Sequence, residues 1–284
     1  MPTSPDISQV AYPAAAKVRA AIAEASRKAD VDFGFMLANA SIESSLDPAA
    51  RAKTSSAAGL FQFTAGTWLA TVKRHGATHG LRWAADAIAM NNGRPTVTEP
   101  AMRKAILDLR FDASLSAVMG AELTKDNAHT MQAALGRAPD TTELYFAHFL
   151  GAGNAIRFVR AHAAQPNTAA AGLFPAAAEA NRAIFFPGGH GATLAEVREW
   201  FAAKLEAAGA APSSYSTMST RSGLPAARPV PIQIAAIERG VGSSGQQPLQ
   251  PISQVLLSTF QATGPAGPPA HVRRAYSVMA AMGV

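Results

Sequence analysis

Ser41-Ile-Glu-Ser-Ser-Leu-Asp-Pro48 and, after a short gap, Thr54-Ser-Ser-Ala-Ala-Gly-Leu-Phe-Gln-Phe-Thr64 are the stretches on which the reading of this chain turns. Just upstream, Phe33, Met36, Leu37 and Ala40 recur at spacings of three and four, which predicts a helix from about Asp32 to Ser45 with one apolar face. Asp47-Pro48 ends it, because the residue before a proline is pushed out of the helical region. Glu43 follows Met36 by seven residues and Ala40 by three, so it falls on the inward stripe in the last turn. A carboxylate in that position is expensive unless it is neutral, paired or functional. Burial and the negative end of the helix dipole both favour its protonated form. A neutral carboxylic acid is what breaking a glycosidic bond requires, since the leaving oxygen must take up a proton. The plainer alternative is a glutamate that caps the loop or pairs with Arg51 or Lys53.

The two stretches together, in this order and at this gap, resemble the Glu-Ser-Ser and Gly-Leu-Met-Gln signatures of the soluble lytic transglycosylases, a family with a lysozyme-like fold. A third signature of that family, Ala-Tyr-Asn-Ala-Gly, aligns with Ala147-His-Phe-Leu-Gly151. The resemblance spans roughly residues 31 to 159. It implies an enzyme that cleaves the β-1,4 bond between N-acetylmuramic acid and N-acetylglucosamine in peptidoglycan, leaving a 1,6-anhydro ring. Carried over residue by residue, Glu43 is the catalytic acid and then base, and Ser44 supports it. Gly59 lets backbone approach the sugar, and Phe61 and Gln62 line the saccharide groove. The departures are Phe61 for the family's Met, His148 for its Tyr and Phe149 for the Asn that follows. Tyr145 stands three residues before His148 on the same helical face, so either side chain is placed to assist Glu43, and His148 is otherwise a packed core histidine. The family needs no cofactor and no metal. A hydrolytic muramidase of the same fold, or a wall-binding or assembly protein without turnover, are the alternatives. Ordinary glycosidases use two carboxylates about 5–9.5 Å apart, and nothing in the sequence sets Asp47, Asp86, Glu99, Asp108 or Asp112 opposite Glu43.

Composition agrees with a helical protein. Hydrophobic residues make up 48% of the 284, yet aromatics only 7%, so alanine supplies much of the apolar content and favours helix over strand. The expected fold class is therefore all-α, a lysozyme-like helical domain over residues 1–207. A flexible Pro/Ala/Ser-rich linker is expected over 208–250, with short helical patterns over 251–284 that dock on the domain or on a partner. Within the domain, helices are expected over 13–29, 60–75, 81–90, 100–110, 111–125, 144–150, 154–164 and 193–207. Asp140-Thr-Thr-Glu143 reads as a capping box, and 91–95 as a turn.

The net charge of +6 suits an anionic partner such as the bacterial wall. Lys and Arg form no stripe interleaved with aromatics, which argues against nucleic acid, and no apolar run approaches the ~20 residues of a membrane span. Without cysteine there are no disulfides, thiol chemistry or Cys-based zinc sites. The N-terminus has no charged start followed by an apolar core, so no secretory leader is read there. A periplasmic or envelope location is then expected by another route, with a secretion, flagellar or phage apparatus as possible partner of the tail. His75 and His79 have an i,i+4 spacing compatible with zinc, although Gly76 and Gly80 weaken that helix and a solvated pair is the commoner outcome. Trp68, Trp83 and Trp200 are candidates for stacking on sugars or for packing in the core. The Gly188-Gly189 segment has no phosphate-loop Lys-Ser/Thr and reads as a turn.

Overall fold

The computed structural model describes residues 8–53 and 55–211. The expected linker beyond 211 and the short helices of 251–284 lie outside the described residues. Within them the chain is mostly helical, as expected for an all-α protein. Twelve α-helices follow in order: α1 Ser8–Ala29, α2 Phe33–Ser44, α3 Ala65–His75, α4 Arg82–Ala87, α5 Pro100–Asp108, α6 Ala113–Leu135, α7 Thr141–Leu150, α8 Ala152–Ala164, α9 Ala170–Leu173, α10 Pro175–Ala180, α11 Arg182–Phe185 and α12 Leu194–Ala207. A two-stranded antiparallel hairpin, β1 Ala89–Asn91 and β2 Arg94–Thr96, interrupts them after α4.

The long helix α6 is the spine, with α1, α3, α7 and α8 packed around it. Its inward residues Ser116, Ala117, Met119, Gly120 and Ala121 are small or unbranched, which lets neighbouring elements approach closely; the Phe61 ring lies where a side chain at position 120 would stand. A second aromatic cluster joins the C-terminal helices: Phe146 lies 4.2 Å from Phe158 and 5.1 Å from Phe201, centroid to centroid, and all three are fully buried. Such pairs add about 0.5–1.5 kcal/mol each beyond the area they bury. They clamp α7 between α8 and α12.

Capping chemistry sets several helix starts. Asp140 accepts from the Glu143 N–H while Glu143 accepts from the Asp140 N–H, so the expected capping box is present; Thr193 and Glu196 repeat it at α12. The helix expected over 111–125 instead starts at Ala113 and runs on to Leu135, and three further features differ from the sequence expectation. The helix read from residue 60 begins only at Ala65, because Thr64 caps it and Gln62 adopts a positive φ of 45°. The segment read as helix to Met90 stops at Ala87 and becomes the hairpin. Its loop is Asn92-Gly93, both with positive φ, the pair a tight two-residue hairpin turn requires. The segment read as a turn around 181–190 carries α11, preceded by α9 and α10. In α2 the inward face is Phe35, Met36, Asn39, Ala40 and Glu43, while Phe33 is 40% exposed.

Candidate functional site

Glu43 ends α2 facing inward, with its side chain 1% exposed. The chain turns sharply behind it. Ser45 and Leu46 both take left-handed backbone angles, φ 55° and 65°, and their N–H groups return to Ser41 and Ala40 carbonyls. Left-handed geometry at two successive non-glycine residues is strained, and it ends the helix directly after Glu43 and Ser44. Asp47 accepts from the Ala49 N–H at 2.8 Å, a turn role.

Ser44 ties this helix end to the following loop: its hydroxyl donates to the Leu60 carbonyl at 2.8 Å, with the Ala40 carbonyl at 3.1 Å. The loop itself is fastened from inside. Gln62 is buried, and its Nε2 donates to the Gly59 carbonyl at 2.8 Å and the Ala50 carbonyl at 3.3 Å. Arg110, also buried, donates to the carbonyls of Ser56, Phe63 and Leu107. Burial holds its guanidinium below the usual arginine range, and nearby Arg51 pushes the same way. Gly59 has φ 79°, and a Cβ there would stand 2.0 Å from the Arg110 carbonyl oxygen. The need for glycine therefore comes from the Arg110 backbone. Phe61, 1% exposed, packs into the core against Gly120, so both Phe61 and Gln62 shape the wall from behind rather than facing an open groove.

Two side chains of α7 reach Glu43, one turn apart. The Tyr145 hydroxyl donates to Glu43 Oε1 at 3.0 Å. His148 Nε2 lies 3.2 Å from the same oxygen, close enough for an ion pair but without hydrogen-bond geometry. Among the described residues Glu43 Oε2 has no hydrogen-bond partner, and it is buried. Burial, then the neighbouring Glu43, push the Tyr145 hydroxyl well above its ordinary range, so it remains a donor at any physiological pH. The carboxyl is thus gripped by one oxygen and left uncommitted at the other. His148, with its side chain 11% exposed, is the more open of the two neighbours.

A third contributor gave no motif in the sequence. Helix α12 packs on α2 and α7, and its Phe201 ring rests 5.5 Å from Tyr145 and 4.8 Å from Phe149. One turn beyond, Lys204 holds its ammonium 4.9 Å from the centre of the Trp200 ring. Burial pushes that ammonium down to about 8, while Glu43 pulls it up. The amphipathic pattern of residues 194–205 gave no sign of Lys204, since a lysine on such a helix is ordinarily solvated.

The remaining candidates have other occupations. His75 Nε2 lies 2.9 Å from Asp126 and His79 Nε2 2.8 Å from Glu122, so these contacts tie α3 and the turn after it to α6; among the described residues no cluster suited to a metal is present. Trp68 is fully buried and donates its indole N–H to the Ile106 carbonyl at 2.8 Å, a core role, whereas Trp83 is 45% exposed. Glu99 and Asp112 cap α5 and α6, and Asp108 pairs with Lys104. Among the described residues the ionisable groups touching the Glu43 carboxyl are therefore Tyr145 and His148, with no second carboxylate. No family model matches the chain.

Proposed function

We propose that the chain is a peptidoglycan lytic transglycosylase with a lysozyme-like fold, in which Glu43 acts first as acid and then as base. The observation that carries this reading is a single buried carboxyl at a helix end, held through Oε1 by Tyr145 and free at Oε2. Glycosidases that hydrolyse keep a second carboxylate about 5–9.5 Å from the first. Here the acidic residues considered from sequence serve as caps, in a turn or in a surface ion pair, apart from the exposed Asp86. One carboxyl suffices when the substrate carries its own nucleophile.

In the proposed reaction, protonated Glu43 gives its proton from Oε2 to the oxygen linking N-acetylmuramic acid to N-acetylglucosamine, and the C1–O bond breaks. The muramoyl C6 hydroxyl then attacks C1, and its proton passes to the Glu43 carboxylate. A 1,6-anhydro ring closes, no water is consumed, and Glu43 returns to its starting form. Tyr145 supports each charged stage because its hydrogen bond strengthens as negative charge gathers on Oε1. His148 is a second neighbour able to donate to the same oxygen when protonated. Ser44, Gly59, Phe61 and Gln62 hold the loop that walls the site.

The partner is then the glycan strand, and the net charge of +6 favours its approach to an anionic wall. Among the described residues no helix is long and apolar enough to cross a membrane. Action in the periplasm or envelope, through a secretion, flagellar or phage apparatus, follows from this substrate. The test is release of soluble fragments from purified sacculi. The wild-type chain should release them and Glu43→Gln should not, at equal thermal stability. Glu43→Gln activity within a few-fold of wild type would remove Glu43 from its role.

A further inference from the structure

Away from Glu43, a chain of titratable side chains joins α3 to α6, and the proton path just described makes no use of it. Glu122 and Asp126 stand four apart on α6, so both carboxylates leave the same face. That face meets the end of α3 and the 3-10 turn Gly76–His79 that continues it. Asp126 lies 2.5 Å from Arg74 and 2.9 Å from His75 Nε2. Glu122 lies 3.5 Å from His75 Nδ1 and 2.8 Å from His79 Nε2. Basic and acidic groups therefore alternate in the order Arg74, Asp126, His75, Glu122, His79. The most open of the five side chains is Arg74 at 35%, so solvent screens these contacts less than it screens pairs on the open surface. The elements packed on α3 bring no other group into the chain. Lys73 turns to α4, where it donates to the Ala85 carbonyl at 2.9 Å. Lys125 of α6 is half-buried without a carboxylate partner, and His129 is exposed. Arg82 and Asp86 of α4 and Arg94 of β2 are exposed. On α5 Arg103 is exposed and Lys104 pairs with Asp108.

We propose that His75 and His79 form a proton-operated clamp, which fastens the end of α3 to α6 when the rings are protonated and loosens when they are neutral. His75 is the deciding link, because both of its ring nitrogens face a carboxylate. A neutral ring carries one N–H, so its other nitrogen turns a lone pair toward an acceptor; an imidazolium donates at both. His79 bears on the same Glu122 carboxylate, so two rings share one anion. Although burial raises the Asp126 carboxyl, His75 and then Arg74 hold it below the usual carboxylate range, which keeps the negative charge in place for the rings. A histidine that gains anionic partners on folding contributes stability that is full below the ordinary histidine value, about 6.5, and is lost as pH rises beyond it. The clamp is therefore closed in mildly acidic surroundings and open in alkaline ones. It grips the far end of the helix whose near end is capped by Thr64, directly after the loop that walls Glu43.

The test uses the full chain. Melting temperatures of the wild type and of the His75→Gln, His79→Gln double variant are followed from about pH 5.5 to about pH 9, on either side of the ordinary histidine value. The wild type should melt about 2–6 °C above the double variant at the acidic end, and this margin should largely close at the alkaline end. A margin that stays constant across the range would overturn the proposal, since the other histidines are common to both proteins. Should the double variant fail to fold, amide hydrogen exchange in the wild type decides. Corrected for intrinsic rates, protection over residues 65–79 should fall between the two pH values relative to α1, which contains no histidine. Protection that keeps a fixed ratio to α1 would overturn the clamp. Neither readout involves glycan cleavage, so an inactive wild type would remove the reading of Glu43 and leave this one standing.

Discussion

Tyr145 and Glu43 stand 102 residues apart in the chain, yet the phenol hydroxyl lies 3.0 Å from Oε1 of the carboxyl, and both side chains are sealed from solvent. The link joins the end of α2 to the middle of α7, each element being fixed by its own caps. Because burial and the neighbouring Glu43 push its ionisation well above the ordinary tyrosine range, the hydroxyl keeps its proton for the carboxyl.

Among the described residues, removing that hydroxyl leaves Glu43 with His148 as its only polar contact. A hydrogen bond to a charged group contributes about 1.5–3 kcal/mol, so Tyr145→Phe should lower the rate of glycan cleavage about 10–100-fold. The Phe201 contact is kept, so the melting temperature should stay within a few degrees of wild type. Steady-state rates on sacculi check this; a rate within twofold of wild type would show that Tyr145 only packs.

Gly59 is expected to tolerate no side chain. A methyl there meets the Arg110 carbonyl at 2.0 Å and requires a backbone angle that L-residues avoid. Gly59→Ala should therefore cost about 3 kcal/mol or more, by the combination of overlap and strain. Gly66 in α3 has open space around the same atom, and Gly66→Ala should stabilise by about 0.5–1 kcal/mol. Urea unfolding of the two variants is the check, and equal effects would refute the geometric argument.

Asp126 should govern part of the acid sensitivity. Burial raises its proton affinity, but hydrogen bonds and charge from His75 and Arg74 outweigh that and hold the carboxyl below its usual range. A carboxyl lowered in the folded state contributes stability above its unfolded value of about 3.9 and loses it as pH falls through the folded value. Between about pH 4 and pH 2 the wild type should lose stability faster than Asp126→Asn, which starts lower at neutral pH. Urea midpoints over that range report it, and parallel curves would remove Asp126 from the account.

The folded unit should need residues up to 211. Thr141 donates its hydroxyl to the Ala211 carbonyl at 3.2 Å, and Ala210 is 5% exposed against the core. A chain of residues 1–211 should fold and solubilise sacculi. One cut at 207 should melt several degrees lower. Insolubility of the 1–211 chain would place further residues in the core.

Much of this was legible because short-range chemistry decided it. The inward position of Glu43 followed from helical spacing, and the capping box at Asp140 from residue types three apart. Other features depended on partners distant in sequence. Gly59 was visible as a glycine, but Arg110, the residue that demands it, lies 51 positions later. Phe61 looked like a groove wall, yet the glycine at position 120 opens space that draws the ring into the core. The hairpin was signalled by Asn92-Gly93, and the apolar pattern of residues 81–90 outweighed that signal. Lys204 could not be found from spacing at all, since a lysine on an amphipathic helix is ordinarily solvated.

The central claim, one carboxyl working without water, is tested most directly by the mass of the glycan ends that the chain produces. Purified peptidoglycan digested by the wild type, beside a Glu43→Gln control, should yield muropeptides lighter than hydrolytic products by one water, about 18 Da, and the control should yield none. Reducing ends of full mass would contradict the account, because they require an activated water and a second catalytic group that the described residues around Glu43 do not provide.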